Sequence, residues 1–75
     1  MRTFLTEIQN RPDGISNTSI NSYSSAAVGL ASWYQRAAAA VTTKNFTGVI
    51  LTLTGEDGNI MMHETFETQY EASAE

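Results

Sequence analysis

The chain has no cysteine and a single histidine in 75 residues. The first absence excludes disulfide bonds and the second leaves little to hold a metal, so the two usual staples of very small domains are missing. A domain of this length buries only about 60% of the surface that its unfolded chain exposes. Stability must therefore come from close packing or from self-association. Long hydrophobic runs are also missing: the apolar stretch at 48–53 is short and broken by Thr52, far below the length of a membrane span. The first seven residues carry Glu7 and no uninterrupted apolar core of a signal peptide. A soluble, cytoplasmic protein is expected, with no membrane partner. In that setting the sequons at Asn17 and Asn45 carry no meaning.

Basic residues are scarce as well. Four Lys and Arg stand against eight Asp and Glu, for a net charge of −4. Residues 1–55 hold all four cations (Arg2, Arg11, Arg36, Lys44) with only Glu7 and Asp13, a local charge of +2. Residues 56–75 hold Glu56, Asp57, Glu64, Glu67, Glu71 and Glu75 and no cation, a local charge of −6. Such a segment repels phosphate backbones and favours a basic partner surface, or it serves only to keep a small protein soluble.

What is present reads as alternating β and α periods. Residues 3–9 place Phe4, Thr6 and Ile8 on one side and Leu5, Glu7 and Gln9 on the other, a strand pattern. Arg11-Pro12-Asp13-Gly14 supplies a turn, with proline presetting φ and glycine free to take a positive value. The return strand, 15–23, is rich in Ser, Asn and Thr, with Ile15, Ile20 and Tyr23 as its apolar anchors; such a strand suits a sheet edge. Ser24 or Ser25 then caps a helix over 26–41, where Leu30, Trp33, Tyr34, Ala37 and Val41 recur at spacings of three and four. Gln35 and Arg36 fall away from that stripe. The run Thr42, Thr43, Lys44, Asn45 ends the helix, with asparagine able to take left-handed geometry. The alanines at 37–40 let the helix lie close to a sheet.

Residues 46–54 and 59–68 are β-branched and apolar, and Gly55-Glu56-Asp57-Gly58 between them forces antiparallel pairing. Val49, Leu51 and Leu53 share one face. On the following strand Ile60, Met62, Glu64 and Phe66 oppose Met61, His63, Thr65 and Glu67, in a register that the loop leaves open by one residue. The expectation is an α+β fold of order ββαββ, an antiparallel four-stranded sheet with one helix packed on one face. Residues 1–68 form one domain and 69–75 an acidic, flexible tail, with no internal repeat.

Catalytic constellations are not in evidence in this pattern. His63 and Glu64 are neighbours on a strand and point to opposite faces, so they cannot act together. The serines at 16, 19, 22, 24, 25 and 32 are explained by strand edge, turn and cap. Glu56 and Asp57 lack the alternating oxygen ligands of a calcium loop, and their loop has neither the lysine nor the following helix of a phosphate site. No enzyme activity, cofactor or metal is expected. One helix cannot cover both faces of a four-stranded sheet, so apolar side chains remain exposed on the other.

The reading that follows is a non-enzymatic acidic protein that binds another macromolecule, a protein or ribonucleoprotein with a basic surface, through Glu56, Asp57, Glu64, Glu67 and Glu71. In size, acidity and element order the chain resembles the small anti-defence proteins of phages and mobile elements, anti-CRISPR proteins among them, and that resemblance implies an inhibitor. No residue motif carries the resemblance, so no functional residue is transferred. A homo-oligomeric structural protein, a homodimer in the simplest case, is the alternative. A nucleic-acid-binding module is weaker, because the cations are few and no aromatic stacking pair is placed on the sheet, and direct nucleic-acid contact is not expected.

Overall fold

The computed structural model describes residues 1–71. Two hairpins are built around turns of the same design. In the first, Gly14 N–H donates to Arg11 O (3.1 Å), Arg11 N–H donates to Ile15 O (3.0 Å), and Gly14 takes φ +89°. In the second, Gly58 N–H donates to Gly55 O (2.9 Å), Gly55 N–H donates to Asn59 O (2.9 Å), and Gly58 takes φ +87°. The aspartate before each glycine locks the turn by accepting from the amide after it, Asp13 from Ile15 and Asp57 from Asn59. Both are type I turns closed by a glycine bulge, the geometry that Asp-Gly favours.

Four strands result: β1 (Thr3–Asn10), β2 (Ser16–Tyr23), β3 (Gly48–Gly55) and β4 (Ile60–Glu67), with the helix α1 (Ala26–Thr42) between β2 and β3. The sheet is antiparallel throughout, in the order β2-β1-β3-β4, and α1 packs on one face of it. The expected ββαββ fold is thus the observed one. The hairpins meet at β1 and β3, where Glu7 stands opposite Leu51. Leu5 on β1 and Val49, Leu51 and Leu53 on β3 are almost fully buried beneath the helix and form the core with Trp33 and Ala40.

Ser25 caps the helix, its Oγ accepting from Val28 N–H. The helix ends differently from expectation. Thr43 turns extended, with ψ 146°, and no residue other than glycine has a positive φ among the described residues. Thr42 instead donates its hydroxyl back to the carbonyls of Ala38 and Ala39. The buried stripe is also rotated. It runs through Gly29, Trp33 and Ala40, with Leu30 and Ala37 half-buried beside it, while Tyr34 (59% exposed) and Val41 lie in solvent. The reason is the close approach at Gly29, where an added Cβ would sit 2.1 Å from Thr3 Oγ1. Thr3 uses that hydroxyl to donate to Ser25 O at 3.1 Å, tying the first helical turn to β1.

On β4 the strict alternation breaks. Leu53 pairs with Met62 but Thr54 pairs with Ile60, so Met61 is the extra residue of a bulge. Both methionines consequently pack against the core, and Ile60 turns outward. Beyond β4, Gln69 N–H donates to Thr43 O at 3.0 Å and Thr68 donates its hydroxyl to Phe46 O, which holds the start of the C-terminal segment against the loop after the helix. Residues 72–75 of the expected tail lie outside the described residues.

The contact at Gly29 gives a direct test. Alanine normally gains about 1 kcal/mol over glycine inside a helix, but here the overlap with Thr3 outweighs it. Gly29→Ala is expected to destabilise the fold by about 1–3 kcal/mol in urea denaturation, and Thr3→Ala in the Gly29→Ala background is expected to recover part of that loss.

Candidate functional site

The five carboxylates singled out from sequence lie along one edge of the molecule. Glu56 and Asp57 occupy the β3–β4 turn, Glu64 and Glu67 stand on β4, and Glu71 follows it; all are exposed. They do not form one patch. Glu64, opposite Leu51, lies on the helix side of the sheet, whereas Glu67, opposite Gly48, lies on the open side. The strand between the turn and Glu67 is eight residues long, roughly 25 Å. The arrangement is an acidic rim that flanks a strand edge on both faces.

Part of this rim is shaped by local contacts. Glu56 accepts from the Arg2 amide at 3.3 Å, and Glu56 N–H donates to Arg2 O at 3.0 Å, which fastens the turn to the start of β1. Asp57 holds Asn59 through its backbone amide and its side-chain amide. Neither contact is an ion pair, since Arg2 meets Glu56 through its backbone. Ion pairs among the described residues are Arg11–Asp13, exposed at 2.7 Å, and Arg36–Glu7 at 2.7 Å. Each carboxylate of the first hairpin thus has its own cation, and the rim carboxylates lack one.

The pair Arg36–Glu7 was not foreseen, since Arg36 falls off the apolar stripe read from sequence. Its signal lies in another spacing: 29, 33, 36 and 40 form a single helical stripe that places Arg36 over β1. Glu7 is buried on the helix side of the sheet and is held from two directions. Arg36 donates through Nε to Oε1 (2.7 Å) and through a terminal nitrogen to Oε2 (2.8 Å), and Gln9 Nε2 donates to Oε2 (2.6 Å). This two-pronged geometry is the strong form of the contact. The hydrogen bonds from Arg36, aided by Gln9 and by the positive charge, hold the Glu7 carboxyl below its ordinary value of 4.5, against desolvation, which pushes it up. Glu7 in turn raises Arg36.

Beside the pair lies an open cleft of about 70 Å³ lined by Glu7, Gln9, Arg36, Thr43, Phe46 and Val49. Ligand pockets for organic molecules run to several hundred Å³, so this one has room for little more than water. His63 accepts from or donates to Thr52 Oγ1 through Nδ1 at 2.9 Å, across the β3–β4 pair on the open face, and Glu64 lies on the far side of the sheet from it. Among the described residues no three His, Asp or Glu side chains converge to hold a metal. Trp33 is 5% exposed and packs edge-on to Tyr34 (5.3 Å) and tilted to Phe66 (5.8 Å), with its Nε1–H buried and unpaired.

The open sheet face holds Phe4, Ile8, Ile20 and Ile50 among Thr6, Thr18, Thr52, Thr54 and Thr65. No strand residue of that face is Lys or Arg, and Phe4 is its one Phe, Tyr or Trp among the described residues, with the His63 ring two strands away. No described helix is long and apolar enough to cross a membrane. Comparison with protein-family models, with curated proteins and with solved structures gives no match.

The ion pair makes a pH-dependent prediction. Because the folded-state pKa of Glu7 is depressed, its contribution to stability is complete well above pH 4.5 and is lost as pH falls through the lower folded value. Arg36→Met leaves the buried carboxylate without its counter-charge and held by Gln9 alone, and is expected to cost about 1–3 kcal/mol at neutral pH. The deficit should shrink as the solution is acidified through the carboxylate range, where Glu7 in the variant takes up a proton. Urea denaturation of both chains across that range measures it.

Proposed function

We propose that this chain is a non-catalytic binding protein that docks on a basic protein or ribonucleoprotein surface through β4 and the β3–β4 turn. The observation that carries this reading is the division of charge: the carboxylates of the first hairpin are neutralised internally, whereas Glu56, Asp57, Glu64, Glu67 and Glu71 stand exposed and enter no ion pair among the described residues. Carboxylates of one sign lining both faces of a strand edge attract a cationic partner from a distance, speed its arrival and set its orientation. A partner lying along the edge would meet Glu64 on the helix side and Glu67 on the open side.

Inhibition follows as the mode of action, because occupying a basic surface excludes the acidic ligand that surface normally takes. The lack of Lys and Arg on the open face, and the separation of its Phe4 and His63 rings by a strand, speak against single-stranded RNA as the partner, since phosphate contacts and a stacking pair would both be missing. The small cleft beside Glu7 and Arg36 gives no room for a substrate, which favours binding over turnover.

Charge reversal tests the reading. The parent chain and a variant carrying Glu56→Lys, Asp57→Lys, Glu64→Lys and Glu67→Lys are immobilised and challenged with bacterial lysate at low and high salt, with mass spectrometry as readout. The parent is expected to retain a defined basic protein or ribonucleoprotein, with retention falling at high salt and by about tenfold or more in the variant. Equal retention by both chains would mean that the rim only keeps the protein in solution.

A further inference from the structure

The two edges of the sheet are treated differently. β4 is blunted by the bulge at Met61 and by Glu64 and Glu67, both devices that discourage a further strand from pairing. β2 has none of them. Its eight residues, Ser-Asn-Thr-Ser-Ile-Asn-Ser-Tyr, include no charge and no proline, pair with β1 in an unbroken register, and are exposed from Ser16 to Ser22.

The direction of the free backbone groups follows from the hairpin. Arg11 bonds to Ile15 across the turn, so hydrogen-bonded pairs alternate from there: Gln9↔Asn17, Glu7↔Ser19, Leu5↔Asn21 and Thr3↔Tyr23. Asn10 O accordingly points the other way, to Thr47 N–H beside β3. Ser16, Thr18, Ile20 and Ser22 are left with N–H and C=O groups aimed outward.

We propose that β2 pairs antiparallel with β2 of a second copy, about a twofold axis through Ser19. The sequence of the edge fits this occupant, because Ser16-Asn17-Thr18-Ser19-Ile20-Asn21-Ser22 reads nearly the same in both directions. Centred on Ser19, the pairing sets Ser16 opposite Ser22, Asn17 opposite Asn21 and Thr18 opposite Ile20. One step further out it sets Ile15 opposite Tyr23. Ile15 (57% exposed) and Ile20 (66% exposed) are among the most exposed large apolar side chains, and both gain an apolar or methyl-bearing neighbour. Charge agrees with this choice, since two chains of net charge −4 would meet at a strand that carries none. The product is a continuous eight-stranded sheet with both helices on the same face and both acidic rims at its outer ends, roughly 34 Å apart at the usual strand spacing. A strand edge covers less than the roughly 800 Å² per partner of a standard interface, so a dissociation constant on the order of micromolar is expected.

Sedimentation of the parent across a wide concentration range should show a monomer–dimer equilibrium. Ser19 is exposed and is the one β2 residue that meets itself, so Ser19→Glu places two carboxylates face to face and should raise the dissociation constant by about tenfold or more; circular dichroism checks that the monomer keeps its fold. Mixing Ser19→Glu with Ser19→Lys should restore a one-to-one heterodimer. In a chain without cysteine, Ser19→Cys should oxidise readily to a covalent dimer, because Cα atoms in a non-hydrogen-bonded antiparallel pair lie about 4.5 Å apart, within disulfide reach; Asn17→Cys should not. A parent that stays monomeric throughout, a dimer that Ser19→Glu leaves intact, or cross-linking at position 17 as fast as at 19 would each overturn the proposal.

Discussion

One helix has to cover a four-stranded sheet, and the way it is fastened to β1 governs everything else. Thr3 and Arg36 hold it at two polar points. At the first, the absence of a side chain on Gly29 lets the helix backbone come down onto the Thr3 hydroxyl. At the second, two turns further along, the guanidinium of Arg36 reaches the Glu7 carboxylate. Trp33 lies between these points and fills the space over β3 and β4, with Phe66 beside it. A purely apolar interface would let so small a helix slide or rotate over the leucines. Two directional contacts on one strand set its rotation, at the cost of a buried carboxylate that must keep its partner.

That fastening divides the sheet into covered and uncovered strands. β1 and β3 are central in the sheet and hold the buried residues Leu5, Glu7, Val49, Leu51 and Leu53. β2 and β4 are edges, and their side chains are mostly exposed. The edges are therefore where this protein can do something other than fold. They differ in chemistry: one is neutral, polar and regular, and the other is acidic and bulged. An edge without charge or bulge is usually a hazard in solution. Keeping one here while blunting its counterpart suggests different uses for the two.

The elements were legible in the sequence because their signals are local. Two Asp-Gly turns, a serine cap, an alanine-rich 3.6-residue period and two β-branched runs each depend on neighbours within a few positions, and all of them hold in the structure. What escaped depends on contacts across the chain. The helix stripe was read one position out because Tyr34 and Val41 are apolar, whereas the structure ranks fit above hydrophobicity and buries Gly29 and Ala40 instead. Arg36 falls off the apolar stripe read from sequence, and its role stays hidden because a buried carboxylate on β1 cannot be inferred from an alternating pattern alone. The bulge at Met61 was hidden by the adjacent methionines, either of which suits the core. Of the candidate site, the excess of acid in the last quarter was plain, but its division between two faces follows only from the register of β4 against β3.

The same register bears on how the acidic rim would work. Carboxylates gathered on one face would favour a single flat basic patch, and would also repel one another strongly enough to burden a small fold. Alternation instead puts Glu64 and Glu67 on opposite faces with the strand edge between them, while the turn carboxylates stand at one end and Glu71 lies beyond the other. Mutual repulsion is reduced by distance and by solvent screening, which acts over about 8–10 Å at moderate salt. Under the proposed function, a basic partner would engage the rim along its length, meeting charges on both sides of a narrow ridge. A cleft or a groove lined with cations fits such a ridge better than a flat surface does.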